Sequence, residues 1–148
     1  MIPTEMMKEL IETKVGFVER MGLKVLELSP RFVKLLAPLN GNENHVGTMY
    51  AGAMFTLAEI PGGAVFLTSF DISKYYPLVK EMNIRFLKPA TSDLTIELSL
   101  SEDKVSRIIA DADENGKADF TLEGELKDES GRVVAVSSGV YQIRTIGK

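Results

Sequence analysis

Glu59 is the only formal charge between Asn44 and Phe70, in a stretch otherwise made of apolar, small and uncharged polar residues. From Thr48 to about Leu67 the run is long enough for a helix and apolar on nearly every side, which in a water-soluble protein predicts a helix enclosed by other elements. At 3.6 residues per turn Gly52, Thr56, Glu59 and Gly63 share one stripe, so the face that is not large and apolar is small, polar and acidic. A carboxylate there can take a proton from water as a general base or attack directly as a nucleophile, and partial burial raises its pKa toward the useful range. At the head of the same helix the amides of Ala51 and Gly52 point outward, with the positive end of the helix dipole behind them, which suits a developing oxyanion. Small residues at both positions let a carbonyl approach the backbone. Asn44, just before the helix, can hold the water or the carbonyl.

The remaining residues must position that stripe. A chain of 148 residues is one ordinary domain, residues 1–148, and can bury a core without staples. Apolar residues at 45% and charged residues at 26% are normal for a globular fold. With no cysteine, disulfides, thiolate metal sites and cysteine nucleophiles are excluded. A net charge of −4 without a run of Lys or Arg argues against a nucleic-acid partner. Glu5, Glu9, Glu12 and Glu19 interrupt the first twenty-one residues, whereas a signal peptide needs a basic start and an unbroken apolar run, so a cytoplasmic protein is expected. The run from Val46 to Phe70 could span a bilayer by length, but Glu59, Pro61 and Gly62-Gly63 and the lack of closely flanking cations speak against it.

In chain order, Thr4 is expected to cap an amphipathic helix that runs to Met21 and stops at Gly22. Leu23–Leu28 and Phe32–Leu39 read as a hairpin about Ser29-Pro30-Arg31. A polar loop, Asn40–Gly47, leads into the central helix. Leu78–Leu87 is a strand with Lys80, Met82, Ile84 and Phe86 on one side, and Leu94–Leu100 alternates cleanly. A short helix starts near Ser101 and ends before Gly116. A strand around Phe120, Leu122 and Leu126 turns at Asp128–Gly131 into Val133–Arg144. Short links between consecutive strands favour antiparallel pairing, so the class is α+β, with about six twisted strands curling around the helix.

The types and spacing of Asn44, Gly47, Tyr50, Ala51, Gly52 and Glu59, the last nine residues after Tyr50, resemble the signature of hotdog-fold thioesterases of the phenylacetyl-CoA and 4-hydroxybenzoyl-CoA type. That signature is an Asn or Gln, a His-Gly-Gly at the helix head, and an Asp or Glu. The element order agrees over most of the chain, and the likeness is greatest to a poorly characterised, thioesterase-like branch in which Tyr commonly replaces the His. The resemblance implies hydrolysis of an acyl-CoA or acyl-carrier-protein thioester. The reaction needs no metal, and coenzyme A enters only as part of the substrate. Glu59, Asn44, Tyr50, Ala51 and Gly52 would form the catalytic group, with Gly47, Thr56 and Gly63 beside the substrate. It also implies a dimer or a tetramer of dimers sharing each site between subunits. A pantetheine arm would lie along Asn83–Lys88, with Arg85 and Lys88 as phosphate contacts. Two departures, Tyr50 for His and Gly63 where several active relatives keep a hydroxyl, leave open a second reading, a non-catalytic acyl-binding or regulatory module. The bland role for Glu59 is a carboxylate that serves a subunit interface.

Other constellations are incomplete. His45 is the only histidine, and Val136-Ser137-Ser138-Gly139 lacks the first glycine of a nucleophile elbow, so His45 reads as a loop or interface residue. Asp111, Asp113, Asn115 and Gly116 copy half of a calcium loop, but Leu122 stands where its bidentate Glu should be, so a helix end and acidic turn explain them better. Tyr75-Tyr76 reads as a packed loop rather than an adenine stack. Met49, Met54, Phe55 and Phe66 fit either an apolar pocket wall or a plain core.

Overall fold

A long helix lies against one antiparallel sheet in the computed structural model, which describes residues 2–147. In chain order the elements are α1 (Thr4–Thr13), α2 (Gly16–Met21), β1 (Lys24–Ser29), β2 (Phe32–Ala37), α3 (Ala51–Ser69), β3 (Tyr75–Phe86), β4 (Leu94–Ser99), α4 (Glu102–Asn115), β5 (Lys117–Lys127) and β6 (Val133–Thr145). The six strands pair in the order β1-β2-β4-β5-β6-β3, all antiparallel. This is the expected α+β hotdog architecture.

The central helix α3 is held because its apolar sides meet apolar strands. Leu57 and Val65 are wholly buried with Val33, Leu35, Leu94 and Ile96 in the same core. Each such side chain contributes about 1.5–3 kcal/mol relative to exposure, enough to carry a helix that contains Pro61 and the Gly62-Gly63 pair. Its C-terminal turn is tied to the first hairpin. Arg31, at positive φ (61°), donates its amide to the Thr68 carbonyl at 3.1 Å and accepts from the Leu100 amide at 3.0 Å. These bonds offset the cost of a non-glycine residue in that region.

Several local expectations are corrected. The N-terminal helix is two helices, because Val15 adopts extended backbone (φ −97°, ψ 115°) between them; Gly22 ends the second at φ 76°. Pro3, not Thr4, occupies the cap position, and no side chain caps α1. α3 begins at Ala51 rather than Thr48, since Thr48 is drawn into the preceding loop by Asn44. In β3 a bulge between Val79 and Glu81 shifts the register, so Lys80 leaves the side shared by Met82 and Ile84 and its Nζ reaches Asp119.

The second half follows its expected course. Ser101 caps α4 by accepting from the Lys104 amide at 3.1 Å, and Gly116 ends it at φ 81°. β5 and β6 pair along their whole length, and β6 pairs in turn with the edge strand β3. β4 and β5, joined through α4, share only the Thr95–Lys127 pair. Lys104 of α4 donates to the Thr121 carbonyl at 2.9 Å, supplying β5 with a donor. Ala51–Ser69 is, among the described residues, the one helix long and apolar enough to cross a bilayer, and more than half of it is buried within the fold.

Candidate active site on the central helix

The loop that delivers α3 is built from side-chain amides. Asn42 Nδ2 donates to the carbonyls of Met21 (2.7 Å) and Pro38 (2.8 Å), and its own backbone carbonyl accepts the Tyr50 amide at 2.8 Å. Asn44 closes the loop on itself. Its Oδ1 accepts from the amides of Val46 (3.0 Å) and Thr48 (3.1 Å), and its Nδ2 donates to Thr48 Oγ1 at 2.8 Å. Both acceptor positions of that carboxamide are thereby used, leaving one N–H to offer. Gly47 turns the loop at φ 88°.

Tyr50 stands immediately before the helix, and its carbonyl accepts from the amides of Ala53 (3.0 Å) and Met54 (3.1 Å). No group among the described residues accepts from the amides of Ala51 and Gly52. They are the free donors expected at a helix start. The Tyr50 ring folds back over Gly52, where a β-carbon would lie 2.4 Å from its Cε2. A larger residue there would have to displace this exposed ring.

Glu59 is half-buried on the side of α3 that the fold leaves uncovered, a strip that includes Gly52, Phe55, Thr56 and Gly63. Its carboxylate has no cation or hydrogen-bond donor among the described residues, and burial raises its pKa above the ordinary glutamate value. Thr56 Oγ1 donates back to the Gly52 carbonyl at 2.8 Å. Gly63 has open space around it, with nothing within 4 Å of an added β-carbon. Its neighbour Gly62 does not: the Tyr141 ring of the same chain fills that position, so of the pair only Gly63 is open. Met49, Met54 and Phe66 belong to the core, whereas Phe55 is partly exposed on the strip.

Tyr141 is the neighbour of Glu59 that sequence reasoning missed. Its hydroxyl donates to the Glu59 backbone carbonyl at 3.1 Å and approaches Met82 S at 3.9 Å. Burial, with the Glu59 charge nearby, pushes the phenol up, so it remains a donor. The only sequence signal is a glycine two residues before an aromatic on the inner face of a strand, and nothing in it points to a helix that lies so far back in the chain.

One chain does not gather all the expected groups. Gly52 and Glu59 are separated by seven residues of helix, about 10 Å at 1.5 Å per residue, so one carbonyl cannot touch both in a single subunit. Asn83 and Arg85 alternate with Met82 and Ile84 along β3, and Lys88 lies just beyond the strand. Met82 and Ile84 face α3, which puts Asn83 and Arg85 on the outer face of the sheet. There they line an open groove of about 1270 Å³ together with Glu97, Glu123 and Ser138, and no residue of α3 takes part. This groove is therefore not where Glu59 is.

The leftover motifs have structural uses. Tyr75 is buried and its hydroxyl donates to Asp113 Oδ1 at 2.5 Å, with the phenol pushed up to about 12 chiefly by that bond. Asn115 Nδ2 donates to the Asp111 carbonyl at 3.2 Å at the end of α4. Among the described residues no three His, Asp or Glu side chains gather as a metal site. His45 is exposed in the loop before α3.

A domain of unknown function, DUF4442, matches residues 4–142, nearly the whole chain. The chain belongs to that family. This DUF4442 chain is similar to PA5026 of Pseudomonas aeruginosa, a protein of unknown function and probable thioesterase, with 51% identity over 97% of each chain and a TM-score of 0.94. The fold is shared with thioesterase HI1161 of Haemophilus influenzae, at 13% identity over 100% of this chain and 94% of the other, TM-score 0.76. It is also shared with a mutant form of thioesterase PA1618 of Pseudomonas aeruginosa, at 15% identity over 98% of this chain and 96% of the other, TM-score 0.76. No curated protein matches.

Proposed function

We propose that this DUF4442 protein hydrolyses an acyl thioester of coenzyme A or of an acyl carrier protein. The observation that carries the reading is Glu59, a half-buried carboxylate with no cation among the described residues, its pKa raised, on the uncovered strip of the central helix of a hotdog fold. The likeness to the probable thioesterase PA5026 supports it.

In this mechanism the amides of Ala51 and Gly52 bind the thioester oxygen and stabilise it as it becomes an oxyanion. Glu59 takes a proton from water, and the resulting hydroxide adds to the carbonyl carbon. As the tetrahedral intermediate collapses the C–S bond breaks, and the thiolate leaves and takes up the proton. In the variant with Glu59 as nucleophile, a mixed anhydride forms first and water then cleaves it. Coenzyme A is part of the substrate, and the reaction as written uses no other cofactor.

The separation of about 10 Å between helix head and carboxylate supports a site made by two copies, with amides from one and Glu59 from the other. β3 supports the same reading: it is an edge strand exposed along most of its length, with Leu78, Val79 and Phe86 accessible. A dimer, or a tetramer of dimers, follows. Thr56 and Gly63 would line the substrate path. Gly47 would shape its mouth, and Asn83, Arg85 and Lys88 would meet the distal phosphates from the β3 side.

A second reading, a non-catalytic acyl-binding module, is favoured by Asn44, whose carboxamide is committed to its own loop, and by the missing hydroxyl at Gly63. Thiol release from short, medium, long and aromatic acyl-CoAs, with Glu59→Ala in parallel, separates the two. Hydrolysis lost in the variant supports the enzyme. Acyl-CoA that raises the melting temperature without turnover supports the module.

A further inference from the structure

We infer that Tyr141 is a positioning residue for Glu59, an inference that rests on the hydrolase reading above. The helical turn that follows Glu59 is the weakest in α3. Pro61 has no amide hydrogen to give the Leu57 carbonyl, and Gly62 and Gly63 are the poorest helix formers after proline. A carboxylate on such a turn needs an external anchor to hold its height, and the Tyr141 hydroxyl supplies one by donating to the Glu59 carbonyl at 3.1 Å.

The anchor is itself rigid. A β-carbon at Gly62 would lie 2.2 Å from Tyr141 Cε2, and one at Gly139 would lie 2.8 Å from Tyr141 Cε1 and 2.9 Å from Met82 S. The ring is therefore socketed between a helix glycine and a sheet glycine. It also stacks on Phe120, with centroids 5.9 Å apart and planes at 25°. Tyr141 pairs with Val79 of β3 on one side and Phe120 of β5 on the other, so the bond ties the Glu59 turn to the sheet beside its free edge.

The test is Tyr141→Phe, which keeps the ring in its socket and removes only the donor. Wild type, Tyr141→Phe and Glu59→Ala are compared for kcat, KM and melting temperature with the best acyl-CoA of the panel. Tyr141→Phe is expected to lose about tenfold or more in kcat, the penalty of a sub-ångström displacement, with KM within about twofold. A hydroxyl that served folding alone would lower the melting temperature and leave kcat of the folded protein unchanged. Wild-type kcat in Tyr141→Phe, with Glu59→Ala inactive, would overturn the positioning role and leave the hydrolase intact. No thiol release by the wild type would overturn the hydrolase reading and the positioning role with it.

Discussion

Glu59 and Asp119 are carboxylates on opposite faces of one framework. Asp119, on the outer face of β5, accepts from Lys80 Nζ at 2.8 Å and from Gln142 Nε2 at 2.7 Å, and these two bonds hold its carboxyl below the usual carboxylate range. Arg144 Nε continues the chain by donating to Gln142 Oε1 at 2.7 Å. Glu59 has no such partners among the described residues and is shifted the other way by burial. A paired, solvated carboxylate is stable in its charged form and does no chemistry. One kept half-buried and unpaired retains affinity for a proton, which is what a base requires.

The largest effect should come from removing the unpaired carboxylate. Glu59→Ala is expected to cut acyl-CoA hydrolysis by about 100-fold or more, the usual worth of a general base, while Asp119→Asn leaves it unchanged. Equal losses in the two variants would erase the functional distinction between the faces.

Gly63→Gln sharpens the contrast between a strip free in one chain and, in the proposed dimer, covered by a second. Nothing lies within 4 Å of the added β-carbon, and glutamine improves helix propensity by up to about 1 kcal/mol, so the fold should survive. Sedimentation should nevertheless show loss of self-association, with activity falling alongside it. An intact active dimer would move the subunit contact off α3.

Gly62→Ala should behave oppositely to its neighbour. Its β-carbon would collide with the Tyr141 ring, so a destabilisation of about 1–3 kcal/mol and a lower melting temperature are expected. Equal stability of wild type and variant would show that the socket has slack.

On the outer face, Lys80→Ala should cost about 0.2–1 kcal/mol, with less effect at high salt and none on hydrolysis. A similarly modest effect should follow pH. Because burial raises the folded pKa of Glu59, its contribution to stability is full below the unfolded pKa and is lost as pH rises through the folded one. The melting temperature of Glu59→Gln should therefore rise relative to that of the wild type from about pH 4 upward, levelling off once the pH passes the folded pKa. The wild-type kcat/KM should rise with pH on a limb above the ordinary glutamate value. Parallel melting curves across that range would mean Glu59 is solvated like Asp119.

Much of this arrangement was legible in local chemistry. The apolar run around Glu59 predicts the enclosed helix, the alternation in Leu94–Leu100 and around Phe120 predicts half-buried strands, and Ser101 with Gly116 marks both ends of α4. Periodicity and capping act within a few residues, so a linear reading captures them. It failed where a side chain overrides the periodic pattern, whether four residues away or across the sheet. Asn44 pulled Thr48 out of the helix, and the bulge in β3 sent Lys80 across to Asp119.

The sequence by itself determined that one carboxylate would lie on the small, polar stripe of a buried helix behind two free amides, because helical spacing is a property of adjacent residues. Only the tertiary structure decided the surroundings of that carboxylate. It set Tyr141 against Gly62 and placed Asn83 and Arg85 on the far face. It also left Gly63 open and set no cation among the described residues beside Glu59. These outcomes depend on which strands pair and in what register, and pairing energies between segments far apart in the chain are not written in the spacing of either one.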